Sequence, residues 1–371
     1  MNRICHITSA HPVKDVRIFY KECQALHEMG MEVFLLGRSK KTNIIGGIHI
    51  IGLHPFKNRL SRVVLYPWII LFKAFQVNAA VYHFHDPELL FMGIILKLAG
   101  KKVIYDAHEN VPLQVANKYY MIRPFRWLMA KTVKLFEEMG VGLFDGTIVA
   151  TESIKKRFPP RYFRKIEIVR NFVNPNEIKP TSFSKKSKAI CYVGGISYNR
   201  GIDLLVKSIE GSDLTMNLAG KFYNKRHLKM LKKMEGWKNV NYLGVVDREG
   251  IKKIYEDSYM GLLLLRPREG FKDSLPIKMF EYMAAGIPVL ASDFPLWKEM
   301  LEDNRCGICV NPLNVEEVRN QINKILKDTS WAEEMGRNGR KLVVHKYNWN
   351  QEKVKFKAFY DQIMSESKQK A

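Results

Sequence analysis

Short apolar runs of strand length alternate with amphipathic stretches of helical length along almost the whole chain. A chain patterned this way buries its strands as parallel sheets covered by helices. In the first half the pattern predicts strands over Arg3–Thr8, Glu32–Leu36, Ile48–Leu53, Val81–Phe84, Lys102–Asp106, Gly146–Ala150 and Glu167–Arg170. Helices are predicted over Val16–Met29, Arg62–Val77, Glu88–Ala99 and Arg123–Met139. The stretch 171–188, rich in Pro, Ser, Asn and Lys and without periodicity, reads as a linker. Beyond it the alternation restarts, with strands at Ala189–Val193, Leu214–Ala219, Val240–Leu243, Met260–Leu265, Val289–Ala291 and Gly307–Val310, and closes in helical segments from about Val315, Trp331 and Asn350. The expected fold class is α/β, with two Rossmann-like doubly wound domains at 1–170 and 189–348, a linker at 171–188 and a last helix in 349–371. A length of 371 residues fits two such domains.

The five cysteines, Cys5, Cys23, Cys191, Cys306 and Cys309, are too few and too scattered for a disulfide framework and predict a reducing compartment. Cys306 and Cys309 spell C-x-x-C, but no second pair stands at a zinc spacing, so they read as buried loop and strand. No signal-peptide-like run opens the sequence, and the oily stretch Val63–Val81 is broken by Lys73, Gln76 and Asn78. It falls short of the roughly 20 apolar residues of a spanning helix, so neither export nor a transmembrane segment is expected. Lys and Arg number 60 against 37 Asp and Glu, a net charge of +23 that favours anionic partners.

Ligands of doubly wound sheets bind beyond the carboxyl ends of the strands, which directs attention to the segment 268–293, REGFKDSLPIKMFEYMAAGIPVLASD. Ser274 and Pro276 stand where a helix should start, and Gly286 and Pro288 where it should stop. The backbone N–H groups near Ser274 and Leu275 would suit a diphosphate. Asp273 and Glu281 are eight positions apart, about 12 Å if the chain between them were wholly helical. A second stretch, YVGGISYNRG from Tyr192 to Gly201, ends a strand in Gly194-Gly195 and places Arg200 before a helix, as a bidentate phosphate ligand would stand.

These stretches resemble the retaining GT-B glycosyltransferases of the GT4 type (glycosyl transferases group 1), whose hallmark is E-x7-E before A-A-G-x-P-V. Here it stands as Asp273-x7-Glu281 followed by Ala284-Ala285-Gly286-Ile287-Pro288-Val289. The resemblance implies two lobes facing across a cleft, an acceptor-binding first domain, a donor-binding second domain and a final helix that crosses back to the first. It implies that Asp273 contacts the transferred sugar and Glu281 the nucleotide ribose. Lys278, Ser274, Leu275, Gly194, Gly195 and Arg200 complete the implied donor site. The family pattern V-G-R-x4-K-G has a basic residue where this chain has Gly195, and Arg266, Lys272 or Lys278 are the candidates to supply that charge.

In the first domain His85-Asp86 follows one strand and His108 another. The resemblance places His108 where an imidazole or backbone carbonyl approaches the sugar, and makes His108, Asp273 and Arg200 the catalytic set. The first loop, SAHPVKDVR, offers Lys14, Asp15 and Arg17 on the acceptor side, with His85 and Asp86. Strand alternation sends His83 to the face opposite Phe84, away from the site. The residue types of His83, His85, Asp86 and His108 allow a metal reading, but no D-x-D triplet occurs and the family generally needs no divalent ion, so no metal and no cofactor beyond the donor are expected.

Two segments, 55–75 and 118–134, interleave Arg and Lys with Trp, Tyr and long aliphatic residues, a mixture suited to an anionic bilayer surface. The expectation is a hexosyl-type glycosyltransferase for polysaccharide biosynthesis. It would use a UDP- or GDP-type nucleotide sugar and a lipid-linked or saccharide acceptor, in the cytoplasm at the inner face of the cell membrane. A nucleotide-sugar epimerase of the same architecture is the alternative. Nucleic acid is not an expected partner, since no recognised motif accompanies the lysines of 221–238.

Overall fold

A computed structural model of the chain describes residues 2–54, 64–117, 122–183 and 189–365. They form two compact units, one of residues 1–171 with 350–371, the other Phe172–Trp349. The first unit is built on eight strands: β1 (Arg3–Pro12), β2 (Glu32–Arg38), β3 (Asn43–Ile45), β4 (Ile48–Leu53), β5 (Val81–Phe84), β6 (Lys102–Ala107), β7 (Gly146–Val149) and β8 (Ile166–Ile168). Their order is β3-β4-β2-β1-β5-β6-β7-β8, parallel except for the β3–β4 hairpin. Helices α1 (Gln24–Glu28), α2 (Tyr66–Val77), α3 (Leu90–Leu98), α4 (Val111–Ala116), α5 (Arg123–Leu143) and α6 (Glu152–Lys155) connect them.

The second unit has six parallel strands, β9 (Ala189–Val193), β10 (Thr215–Ala219), β11 (Val240–Gly244), β12 (Ser258–Leu263), β13 (Val289–Ser292) and β14 (Gly307–Val310), ordered β11-β10-β9-β12-β13-β14. Between and after them run α7 (Ile202–Ser208), α8 (Lys225–Leu231), α9 (Arg248–Asp257), α10 (Ile277–Ala284), α11 (Pro295–Leu301), α12 (Val315–Lys327) and α13 (Thr329–His345). The last helix, α14 (Trp349–Ser365), belongs from Asn350 onward to the first unit. Helix starts are written in the sequence: the side chains of Asn224, Asp247, Asn314 and Asp328 each accept a backbone N–H of the first turn of α8, α9, α12 and α13. Strand order reverses between β1 and β5 in one sheet and between β9 and β12 in the other, which places a crevice beyond the carboxyl ends of those strands.

Two expectations change. The first strand runs on to Pro12, pairing Pro12 with Arg38 after an irregularity, because the backbone after Ile7 is tied to β5 through Asp86. The helix expected over Val16–Met29 begins as a π-helical segment, Ile18–Cys23, after the Asp15 carboxylate accepts the amides of Arg17 and Ile18. The described part of the stretch read as a linker is packed: Phe172, Val173 and Ile178 are buried with Phe280 and Tyr282, and Phe183 with Tyr259. Its composition marks irregular backbone, while its few apolar residues anchor it.

Alternation along β1, β5 and β6 gives the first sheet one apolar face, with Cys5, Ile7, Tyr82, Phe84 and Tyr105 in a common core. The opposite face carries His6, His83, His85 and Asp106, all buried. Tyr360 of α14 lies against it, its hydroxyl 2.8 Å from His83 Nδ1. Farther along the sheet, a Cβ on Gly146 would sit 2.4 Å from Phe359 and 2.6 Å from Ile363. Gly146→Val is therefore expected to cost about 1–3 kcal/mol and to loosen α14, read as a lower Tm together with faster proteolysis near the C-terminus. An unchanged Tm and digest would show that α14 does not need this close approach.

Candidate active site

In the first unit the loops beyond β1, β5 and β6 meet around a small pocket lined by His11, His85, Asp86, Asp106, His108 and Glu109, among others. Asp86 shapes this corner: one carboxylate oxygen accepts Thr8 Oγ1 at 2.7 Å, Ser9 N at 2.7 Å and Ala10 N at 3.2 Å. His11 stands 3.6 Å from Asp15 and 3.7 Å from Asp86. Burial works against its charge, but the hydrogen bond to Asp15 and the charges of Asp86, Asp15 and Glu109 raise its pKa to about 9. Burial would likewise raise Asp15, yet the bonds from His11 and from the Ile18 and Arg17 amides bring it down to about 2.

Arg17, expected to face an acceptor, is buried instead. Its guanidinium grips Asp106 with Nε and Nη2 at 2.8 and 3.0 Å and donates through Nη1 to the Val169 carbonyl at 2.9 Å. The reason is electrostatic: Asp106 sits in the interior and needs a cation there. Burial opposes its charge, but Arg17 and then His108 hold its pKa well below the usual carboxylate range. Asp106 accepts from His85 Nδ1 at 3.0 Å, which fixes that ring's tautomer, and lies 3.5 Å from His108 Nδ1. His83 lies on the face opposite Phe84 and outside the pocket lining, stacked on His85 with ring centroids 4.6 Å apart. Lys14 is exposed.

In the second unit β9 is followed by Gly194, whose φ of 142° is open to glycine. A Cβ there would sit 2.0 Å from Lys278 Cε, and one on Gly195 would sit 2.6 Å from the Tyr223 ring. The aliphatic end of Lys278 thus lies against the glycine turn, and its ammonium is 5.4 Å from the Tyr192 ring centre. Burial and then the Arg200 charge bring the Lys278 pKa down to about 7, against the pull of Glu281. Arg200 ends the single 3₁₀ turn Tyr198–Arg200 and interacts with the Tyr192 hydroxyl. Of the other cations considered for the charge missing at Gly195, Arg266 is occupied, ion-paired with Asp203 and lying 3.9 Å over the Tyr198 ring. Lys272 is exposed.

Glu281 is buried on α10, where it accepts Tyr255 Oη at 2.8 Å and Arg248 Nη1 at 3.3 Å. Arg248 also pairs with Glu177 from the stretch read as linker. Asp273 is exposed in a turn, and helix begins only at Ile277, so the helical rise does not apply between the two acids. The chain between is pinned instead, with Trp297 Nε1 donating to the Ser274 carbonyl at 2.8 Å and Leu275 packed on the core. No side chain caps α10. Sequence reasoning missed His11, although its i,i+4 spacing to Asp15 was visible. It also missed Glu22, Tyr223, Tyr255 and Arg248, which carry no local signal because their partners are distant in the chain.

Residues 173–342 match the family described as Glycosyl transferases group 1, and residues 16–177 the one described as Glycosyltransferase Family 4. The chain belongs to the GT4-type glycosyltransferases and has their GT-B fold. An uncharacterized glycosyltransferase of Methanocaldococcus jannaschii is 24% identical over 204 residues, 50% of this chain and 51% of the relative, so this match spans about half of each. The D-rhamnosyltransferase WbpZ of Pseudomonas aeruginosa is 22% identical over 294 residues, 72% of this chain and 70% of that one. In fold, the chain is similar to a sucrose-phosphate synthase from Thermosynechococcus elongatus, with TM-score 0.77, 16% identity and coverage of 98% and 100%. It is also similar to HepE of Anabaena in complex with UDP and glucose, with TM-score 0.73, 12% identity and the same coverage. The epimerase alternative is not favoured, since both matching families are glycosyltransferases.

His11 should titrate near pH 9 by NMR, against 6.5 for an ordinary imidazole. Because the folded value is the higher one, His11 stabilises the fold fully below about pH 6.5, and the contribution fades as pH rises through 9. Asp15→Asn should move the titration down; a His11 midpoint near 6.5 in the unaltered protein would remove the charged pair.

Proposed function

We propose that this chain is a retaining, metal-independent, hexosyl-type glycosyltransferase of polysaccharide biosynthesis. Its donor would be a UDP- or GDP-type nucleotide sugar and its acceptor lipid-linked or a cell-surface saccharide. The observation that carries the donor half is Lys278 lying against the Gly194-Gly195 turn with Arg200 near by. Two cations and the amides leading into α10 suit the charge that develops on a leaving diphosphate, a preorganised role. Lys278 would replace the basic residue absent at Gly195. Glu281, held by Tyr255 and Arg248, presents a fixed acceptor for ribose hydroxyls, and Asp273 would meet hydroxyls of the transferred sugar. The departing phosphate would take the acceptor proton on the same face of the sugar, and His108 is the catalytic group proposed in the first unit. Lys14 and His11 offer an acceptor or donor phosphate positive charge, and Asp15, Asp86 and His85 hold that corner in shape.

The membrane reading rests on unit one. No described helix is long and apolar enough to cross a bilayer, but α2 buries Tyr66, Ile70 and Ala74 while leaving Trp68, Ile69 and Phe72 exposed. Phe91 of α3 meets Trp68 edge-on at 5.6 Å, and α5 exposes Phe125, Trp127 and Leu128 with Lys131 3.7 Å over the Trp127 ring. Apolar side chains fringed by cations suit anionic headgroups. Residues 55–63 and 118–121 of the two sequence segments lie outside the described residues. The site of action would be the cytoplasmic face of the membrane.

Calorimetric titration with UDP and GDP in EDTA tests the donor site. One nucleotide should bind, and Glu281→Ala and Lys278→Met should each weaken it about 10- to 100-fold, the range of a lost bond to a charged group. Lys278 is half neutral near pH 7, so binding a diphosphate draws in a proton above that pH. Affinity should then fall by up to about tenfold per unit as pH rises beyond 7, a slope that Lys278→Met abolishes. Equal affinity in both variants would refute the site. In a separate assay the protein should float with anionic liposomes at low salt but not with neutral ones, and Trp68→Glu/Phe72→Glu should lose flotation; no flotation of the unaltered protein would sink the membrane reading.

A further inference from the structure

Beneath the pocket of the first unit, on the sheet face that carries the histidines, lies a cluster that shares only His85 with the corner described above. His6 of β1, His83 of β5, His85 just beyond β5 and Glu22 of the π-helical segment are all buried, and one ligand atom of each lies within 4.8 Å of the others. Three distances define its centre. His6 Nδ1 is 3.0 Å from His85 Nε2, and Glu22 Oε2 is 3.9 Å from the first and 3.8 Å from the second. The circle through those three atoms has a radius of about 2.1 Å, the length of a Zn–N or Zn–O bond.

The surroundings match what metal ligands require. Neither Glu22 oxygen has a hydrogen-bond partner among the described residues, although Oε1 stands 3.0 Å from Arg17 Nε. Oε1 is thus ion-paired to Arg17, while Oε2, turned toward the histidines, has no cation beside it, which is costly for a buried carboxylate. Asp106 accepts from His85 Nδ1, so His85 Nε2 keeps its lone pair toward the centre. The Tyr360 hydroxyl lies 3.3 Å from His6 Nε2 and 2.8 Å from His83 Nδ1; with the hydroxyl accepting from both, His6 Nδ1 and His83 Nε2 carry lone pairs, and an ion would take the place of the His6–His85 hydrogen bond. His83 Nε2 is itself buried without a partner. A carboxylate or hydroxyl behind each imidazole is the usual support of ligating histidine.

We propose that His6, Glu22, His83 and His85 form a closed site for one divalent transition-metal ion of the zinc class. Three imidazoles and a carboxylate are a borderline donor set suited to that class. With four protein ligands no position is left for substrate, so the ion is structural. It ties β1, β5 and the π-helical segment together under the pocket, and through Tyr360 it engages α14. The metal-independent transfer chemistry proposed above is unaffected, and nucleotide binding by the second unit does not depend on this ion.

The test uses the full chain, produced without chelator and with any affinity tag removed. Elemental analysis should find about one zinc-class ion per chain. Protein refolded from guanidinium with Co²⁺ alone should show the intense visible bands of a four-coordinate Co²⁺ site. Glu22→Gln and His6→Gln should lose the ion and the bands. A folded, unaltered protein with under about one-tenth of an ion per chain and no Co²⁺ bands overturns the proposal, since a built site saturates under these conditions. So does an ion retained undiminished by both variants, because it would then sit elsewhere. Unfolding of a variant leaves the decision to the unaltered protein, whose metal content and Co²⁺ spectrum suffice.

Discussion

A parallel strand cannot be followed by its neighbour without a crossover that carries the chain back to the starting edge. Every loop that follows a strand therefore gathers on the same side of its sheet. All of the candidate chemistry depends on this. The glycine turn after β9 and the segment between β12 and α10 adjoin because β9 and β12 are neighbours at the point where strand order reverses. In the same way β1 and β5, neighbours at the reversal of the first sheet, bring His11 to Asp86 across 75 positions of sequence.

Given that edge, charge decides what each unit does with it. In the first unit the interior beneath the loops is polar: Arg17 and Asp106 neutralise one another, and Asp106 in turn sets the protonation of His85. In such a place a buried ion left alone would cost several kcal/mol, so each group is held by the next. The second unit leaves its charge incompletely answered. Lys278 is buried near Arg200, and burial first, then the neighbouring cation, depress its pKa against the pull of Glu281. A group whose charged form is held back until an anion arrives is suited to bind phosphate and poorly suited to be structural.

The fold class and the GT4-type family were legible in the residues themselves. The 2- and 3.6-residue periodicities located most strands and helices, and Asp273, Glu281 and the A-A-G-x-P-V turn carried the family resemblance. Local chemistry also marked several helix starts, as at Asp247 and Asn314. What failed were inferences about exposure. Arg17 reads as a surface cation in SAHPVKDVR and is buried, because Asp106, 89 residues away, draws it inward. The stretch 171–188 reads as a linker, and that its described part is anchored at Phe172 and Ile178 was not legible, since composition reports backbone irregularity and says little about packing.

Sequence alone, then, determined periodicity, capping and the spacing of acids and glycines, because these act between residues a few positions apart. Tertiary structure decided which charges meet. It set Lys278 against Gly194 where the family has a basic residue at Gly195, gave Glu281 its partners Tyr255 and Arg248, and assembled His6, Glu22, His83 and His85 from three segments. The physical reason is that electrostatic and ligand geometry depends on distance in space, and strand order, which no local pattern encodes, sets that distance.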